Sequence, residues 1–96
     1  MAAYCVFEVD ISDPSWRAKY GEPTAALVKK HGGRYLAASP AAKKLEGSRA
    51  VSTAVVIIEF PDAEAAKAWH SDPEYQPLIE LRNSGSTAEA MMVPGL

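Results

Sequence analysis

The chain has 96 residues, which is enough for one compact domain, so residues 1–96 are expected to form a single unit. Ten Lys and Arg against twelve Asp and Glu give a net charge of -2 without a basic stripe, which argues against nucleic acid as a partner. The 48% hydrophobic content is interrupted by charge every few residues, so no membrane span is expected. The first ten residues lack the features of a signal peptide, and the sequence therefore predicts a cytoplasmic protein.

The first element in chain order is a strand with one apolar face. Residues 3–11 alternate in the period of two that places every second side chain on the same side of a strand. Cys5 is the single cysteine and lies within this run, so it is expected to be a buried, unreactive thiol. The residues predicted to share the apolar face are Ala3, Cys5, Phe7, Val9 and Ile11.

A helix is predicted to follow. Residues 12–14 combine short polar side chains with a proline, which suits a helix start, and the double glycine at 32–33 suits a left-handed C-terminal cap. Apolar residues recur at helical spacing between these two points. Gly21 and Pro23 interrupt the pattern, so the helix is expected to be kinked or split there, with Pro23 opening its second half.

The remaining pattern predicts three more strands and a second helical region. Short strands are expected at residues 34–38 and 87–93, and a longer one at 51–60. Helical segments are expected at residues 62–70 and 73–82, each started by an Asp and a Pro. The order is therefore β, α, β, β, α, β.

This order predicts an α+β fold, namely a ferredoxin-like four-stranded antiparallel sheet with both helices on one side. Every residue from 54 to 58 is apolar, so the second side of the sheet also needs cover. Two sheets packed face to face would supply it, and we therefore expect a homodimer of the dimeric α+β barrel type. In the alternative, a monomer covers its open face with the helical piece at residues 73–82.

Several segments resemble one bacterial family. The pieces DPSW, HGGRYL, LEG, VVIIEFPDAEAAKAWH and SDPEYQPL come in the order and spacing of the family known as domain of unknown function 1330. The resemblance extends over nearly the whole chain and implies a ferredoxin-like dimeric α+β barrel. Related barrel families include cofactor-independent monooxygenases, muconolactone-isomerase-like enzymes and haem-degrading enzymes. His70 stands where the family commonly has a tyrosine after the tryptophan.

Two residues are candidates for proton transfer. Glu59 follows four apolar residues in a strand interior, where a carboxylate is expected to be hydrogen-bonded or to face a cavity. It would share the face away from the helices with other acids, which could raise its pKa, or it would form a salt bridge to Arg34 or Arg82. His70 could move protons near neutral pH, or it could be a solvated surface residue.

Aromatic residues predict a small-molecule pocket between the helices and the sheet. Rings at these positions could bind a flat or apolar ligand, or could simply fill the core. The chain lacks paired metal-ligand spacing and nucleotide-binding glycine loops, so neither a metal nor a cofactor is expected. The leading hypothesis is a small-molecule-binding homodimer, which could be a cofactor-independent enzyme of the isomerase or monooxygenase kind, and the alternative is a non-catalytic interaction or ligand-sequestering module. The residues expected to border the pocket are Tyr20, Tyr35, Glu59, Trp69, His70 and Tyr75.

Overall fold

The computed structural model describes residues 1–96 as a four-stranded antiparallel sheet covered on one side by three helices. The first and third strands along the chain lie at the centre of the sheet, and the second and fourth strands form its two edges. This pairing is that of the predicted ferredoxin-like sheet. The elements are β1 (Ala3–Ile11), a short 3₁₀ turn (Pro14–Trp16), α1 (Arg17–Lys30), β2 (Arg34–Ser39), β3 (Ala54–Phe60), α2 (Ala63–His70), α3 (Gln76–Asn83) and β4 (Ser86–Pro94).

The main core lies between the sheet and the helices. The predicted alternation of β1 is confirmed, because Ala3, Cys5, Phe7 and Val9 are buried on the side facing the helices. Cys5 is a buried free thiol, and burial raises its pKa. None of the three helices has both the length and the apolar character needed to cross a bilayer.

Several predicted element boundaries were wrong. The first helix is not split, since α1 continues through Gly21 and Pro23. A 3₁₀ turn directly precedes Arg17, the first residue of α1. Pro23 has no N–H to donate to the Lys19 carbonyl. Both residues are exposed, so water can reach this side of the helix and bind the carbonyl instead. The strand predicted from residue 51 begins at Ala54.

The second helical piece begins later than predicted, at Gln76 rather than Pro73. Asp72 accepts a hydrogen bond from the Glu74 backbone N–H, so residues 72–75 form a turn before the helix. Helix α3 packs against α1 and β4, and Arg82 near its end lies over the ring of Phe7 on the helix side. The alternative in which this piece covers the open face of the sheet is therefore wrong.

The open face of the sheet carries a continuous apolar patch. Val6 lies opposite Ile57 of β3 and Met91 of β4, and all three side chains point away from the helices. Met91 is 55% exposed and Val93 is 42% exposed. The expectation that residues 54–58 are apolar on both sides of the sheet is confirmed, because Ile57 faces away from the helices and Ile58 is buried beneath them.

One close backbone approach connects the end of α3 to the start of the helical region. The carbonyl of Gly85 accepts hydrogen bonds from the backbone N–H groups of Ser12 and Asp13. A Cβ at Gly85 would collide with the Asp13 carbonyl oxygen and would lie 2.7 Å from the Trp16 ring. The absence of a side chain at Gly85 therefore lets Trp16 take its buried position.

An ionic cluster connects the end of α1 to the turn before α3. The Asp72 carboxylate is nearly buried and accepts hydrogen bonds from His31 Nε2 at 2.8 Å and Lys30 Nζ at 3.0 Å. The bonds from His31, from the Glu74 backbone and from Lys30 hold the pKa of Asp72 well below its usual range. This cluster fixes the turn that ends at Tyr75 against α1.

We expect Gly85→Ala to lower the free energy of unfolding by about 1–3 kcal/mol, because the added methyl group meets rigid backbone. Gly21→Ala is the matched control, since a Cβ at Gly21 would meet no atom within 4 Å. Better helix propensity should make that variant up to about 1 kcal/mol more stable than the wild type. Chemical denaturation measures both, and equal effects of the two substitutions would contradict the close approach.

We expect Asp72→Asn to lower the thermal unfolding midpoint at neutral pH, since the amide retains an acceptor but loses the charge that Lys30 and His31 contact. A carboxylate whose pKa is lowered by folding stabilises the protein above its unfolded pKa of about 3.9 and loses that contribution as the pH falls below it. The difference in thermal unfolding midpoint between wild type and Asp72→Asn should therefore become smaller below about pH 4. Glu74→Gln is the control, because the Glu74 side chain is 72% exposed, and it should change the midpoint little. A difference in midpoint between wild type and Asp72→Asn that stays constant with pH would contradict the charged cluster.

Candidate functional site

The main cavity lies between the helices and the sheet, close to the start of α1. It has a volume of about 760 Å³ and is lined by 19 residues, 13 of them hydrophobic. The floor comes from the helix-facing side chains of β1 and β3, and the walls come from the 3₁₀ turn, α1 and the α2–α3 region. A volume of this size is typical of small-molecule sites in proteins.

Stacked aromatic rings form the side of the cavity nearest α2. Trp69 and Tyr75 are fully buried and stack with their ring centroids 4.6 Å apart. Trp69 also contacts Phe60 at 5.3 Å and meets the edge of Phe7 at 5.8 Å. Each of these rings buries a large apolar area, and the buried indole and phenol carry polar groups into the cavity wall.

Two tyrosine hydroxyls and an arginine meet at the cavity wall. The hydroxyl oxygens of Tyr20 and Tyr75 are 2.7 Å apart, and Arg82 Nη1 donates to the Tyr75 hydroxyl at 3.2 Å and to the Tyr20 hydroxyl at 3.5 Å. Tyr20 belongs to α1, Tyr75 directly precedes α3, and Arg82 lies in the last turn of α3. The packing of α1 on α3 therefore sets the geometry of this cluster, which we call the Tyr–Tyr–Arg cluster.

The Arg82 guanidinium is buried without a carboxylate partner. The residue is only 6% exposed, and the ion pairs of the protein involve other basic side chains. Its guanidinium carbon lies 5.6 Å from the centre of the Phe7 ring, which provides a cation–π contact. Burial, with the neighbouring Tyr20, raises the pKa of Tyr75 well above its ordinary value, so its hydroxyl stays protonated at neutral pH.

Several buried polar atoms of the cavity wall have no hydrogen-bond partner within the protein. Buried polar groups are usually paired, so four unpaired ones on residues of a single cavity lining are unusual. The atoms are Trp16 Nε1, Thr24 Oγ1, Trp69 Nε1 and Arg82 Nε.

Four of the six residues expected around the pocket line this cavity, namely Tyr20, Tyr35, Trp69 and Tyr75. Glu59 does not border it, because it lies opposite Tyr4 on the other face of the sheet. There it accepts a hydrogen bond from Arg34 Nε at 2.8 Å, which is one of the two salt bridges considered from the sequence.

His70 also lies outside the main cavity. It is exposed at the end of α2 and borders a second, smaller cavity of about 400 Å³ between α2 and β4. Its ring centroid is 6.0 Å from that of Tyr75, but His70 is not among the residues that line the main cavity. The ionisable groups expected to transfer protons are therefore separated from the main cavity.

Sequence reasoning missed Arg82, Trp16 and Thr24 as residues of the site. Arg82 was considered only as a partner for Glu59, which instead pairs with Arg34. Trp16 lies in the 3₁₀ turn and Thr24 in α1, and neither was among the residues expected to border the pocket. One signal was available for Arg82, since it lies seven residues after Tyr75 and so on the same side of a helix.

The lining groups favour binding and charge stabilisation over proton abstraction. The cavity lining includes no Asp, Glu or His, and no group of three or more His, Cys, Asp or Glu side chains is arranged to hold a metal ion. The polar groups available are hydroxyl, indole and guanidinium donors. Such donors bind an oxygen atom that carries negative charge.

The fold is shared with several solved structures. RPA0582, a protein of unknown function from Rhodopseudomonas palustris, is 18% identical, with a TM-score of 0.79 over 99% of this chain and 82% of that chain. SnoaB, a cofactor-independent oxygenase from Streptomyces nogalater, is 16% identical, with a TM-score of 0.71 over 99% of this chain and 93% of that chain. A dimeric ferredoxin-like protein of unknown function from Jannaschia sp. CCS1 is 11% identical, with a TM-score of 0.66 over 99% of this chain and all of that chain, 100%.

At these identities the similarity establishes the ferredoxin-like fold and leaves the activity open. No curated protein matches the chain at a significant level. The family model for domain of unknown function 1330 matches residues 2–96, which confirms the resemblance noted in the sequence. The chain belongs to this family, DUF1330.

Proposed function

We propose that this protein is a homodimer that binds a small, mainly apolar molecule in the main cavity. The observation that carries the proposal is the cavity itself, which has a volume of about 760 Å³ and a mostly hydrophobic lining with unpaired polar atoms. Protein interiors are otherwise packed about as densely as organic crystals. A module whose rings served only as core would be filled solid, so a cavity of this size favours ligand binding over that alternative.

The open face of the sheet supports the homodimer. The apolar patch around Val6, Ile57 and Met91 is left uncovered by the chain's own helices. Burying such a patch contributes roughly 25 cal/mol for each Å² of apolar surface. The Jannaschia protein with this fold is described as dimeric, and face-to-face packing of two sheets would cover the patch on both copies.

Cofactor-independent catalysis is the second function that we propose for the same cavity. The Tyr–Tyr–Arg cluster places two hydroxyl groups and a cation together in a largely apolar site, where they could stabilise an oxyanion that develops on the bound molecule. SnoaB, with the same fold, is described as a cofactor-independent oxygenase. An isomerase or oxygenase reaction of this chain would then rely on a substrate that ionises readily, since no carboxylate or imidazole lines the cavity.

Filling the cavity should block ligand binding without unfolding the protein. Gly21 lies in the lining, and a Cβ there would meet no atom within 4 Å, so Gly21→Leu can place its side chain at the cavity rim. Both tryptophans of the chain line the cavity, so their two indole N–H signals in ¹⁵N NMR spectra report its occupancy. We expect a panel of small aromatic compounds to shift these signals in the wild type, and Gly21→Leu to weaken the best binder at least about tenfold, which corresponds to about 1.4 kcal/mol.

Ala25→Leu adds a leucine to the exposed side of the same helix, outside the cavity, and should leave binding unchanged. Glu59→Gln and His70→Ala should also retain binding, because neither residue lines the main cavity. If no compound of the panel moved either indole signal, or if Gly21→Leu bound as well as Ala25→Leu, the cavity would not be the binding site.

A charge placed on the open face should prevent dimer formation. Met91 is 55% exposed in the single chain, so Met91→Lys should be tolerated by the fold while it places an ammonium group in the middle of the buried patch. We expect wild type to sediment as a dimer at micromolar concentration and Met91→Lys as a monomer with an unchanged circular dichroism spectrum. Ala25→Lys, on the helix side, is the control and should remain dimeric; a monomeric wild type would contradict the homodimer.

A further inference from the structure

We propose that the ligand of the main cavity carries an anionic oxygen, and that the Arg82 guanidinium and the Tyr20 hydroxyl bind it, with Tyr75 holding both in place. The ligand class is an aromatic or similarly apolar molecule with one ionised carboxylate, phenolate or enolate group. This inference rests on the proposed function, because it assigns a ligand class to the cavity described there.

The first argument is the uncompensated charge of Arg82. An isolated buried cation is costly, so buried guanidinium groups are normally paired with carboxylates. Arg82 is 6% exposed, and none of the ion pairs of the protein includes it. Tyr75 does not supply the missing charge, since burial keeps its hydroxyl protonated. An anion from outside the chain would compensate the charge.

The second argument is the number of hydrogen-bond donors. A guanidinium group has five N–H bonds, and only Nη1 of Arg82 has acceptors in the protein, namely the Tyr20 and Tyr75 hydroxyls. These two hydroxyls share one hydrogen bond with each other, so the hydroxyl hydrogen of the accepting tyrosine has no acceptor in the protein. Arg82 Nε is buried and unpaired as well. The cluster has more donors than acceptors, which matches an oxygen atom that only accepts.

The third argument is the apolar surroundings. The Arg82 guanidinium lies over the Phe7 ring, and Trp16 meets the edge of Tyr20 with ring centroids 5.2 Å apart. Trp16 and Phe7 both line the cavity on which the cluster borders. A ligand whose oxygen reaches Arg82 would therefore place the rest of its body among aromatic and aliphatic side chains. This arrangement selects one charged group on an apolar molecule.

Two pairs of probes test the proposal in the full chain. Para-tert-butylbenzoate is compared with its neutral amide, para-tert-butylbenzamide, and para-nitrophenolate is compared with para-nitroanisole at a pH at which the phenol is ionised. Titrations follow the indole N–H signals of Trp16 and Trp69. We expect at least one anion to bind about tenfold to 100-fold more tightly than its neutral counterpart, as a charge-assisted hydrogen bond would produce. The pair that shows the preference distinguishes a carboxylate from a phenolate or enolate.

Substitutions at Arg82 locate the preference. Arg82→Met removes the charge and leaves the two tyrosine hydroxyls bonded to each other, so it should abolish the preference while the neutral probe binds as before. Arg82→Lys keeps a cation and should retain part of the preference. The wild-type comparison stands by itself if a variant does not fold.

The outcomes separate this inference from the proposed function. Wild type that binds neutral probes as tightly as both anions would overturn the anionic ligand while keeping the cavity as a binding site. A preference that survives unchanged in Arg82→Met would overturn the role of Arg82. Indole signals that respond to none of the four probes or the wider panel would overturn the proposed function and this inference together.

Discussion

Strand β3 is apolar on both faces from Ala54 to Ile58, and the helices of the chain cover only one of these faces. On one face, α1, α2 and α3 cover the sheet, and they bury Phe7, Ile58 and Phe60. On the other face, Val6, Ile57 and Met91 stay without cover from the same chain. The helices therefore serve the interior and the cavity, while the opposite face is available to a second copy. The proposed dimer interface and the proposed ligand site therefore lie on opposite sides of one sheet.

The helix side is covered but not filled. Three helices of 14, 8 and 8 residues lie across the sheet, and the space between the start of α1 and the edge formed by β2 remains as the cavity. Four residues that line this cavity each bury a polar atom without a hydrogen-bond partner, which costs stability in the free protein, namely Arg82, Trp16, Trp69 and Thr24. Residues that stabilise a fold rarely take this arrangement, whereas residues that bind a polar group of a ligand often do. The balance of these effects favours a functional role for the cluster.

The fold was largely predictable from the sequence because its signals are local and repeated. The alternation of residues 3–11, the apolar run at 54–58 and the Asp62 cap each specify one element without reference to the rest of the chain. The predicted break at Pro23 was wrong, because a proline inside a helix costs less where the carbonyl it leaves unpaired can reach water. The helical periodicity of the surrounding residues therefore predicts this segment better than the proline does.

The candidate site was only partly predictable, because it depends on the contact between α1 and α3. Tyr20 and Tyr75 were recognisable as rings, but the hydrogen bond between residues 55 positions apart could not be read from spacing. The sequence left two arginines, Arg34 and Arg82, as partners for Glu59. Pairing of β2 with β3 places Arg34 opposite Glu59, so Arg82 has no acidic partner. The Asp72 cluster holds the turn before α3 against α1 and so maintains the distance between the two hydroxyls. The Asp72 carboxylate is thus used by Lys30 and His31, which stabilises the contact between α1 and the turn before α3. Arg82, at the other end of α3, has no acid within reach and stays unpaired.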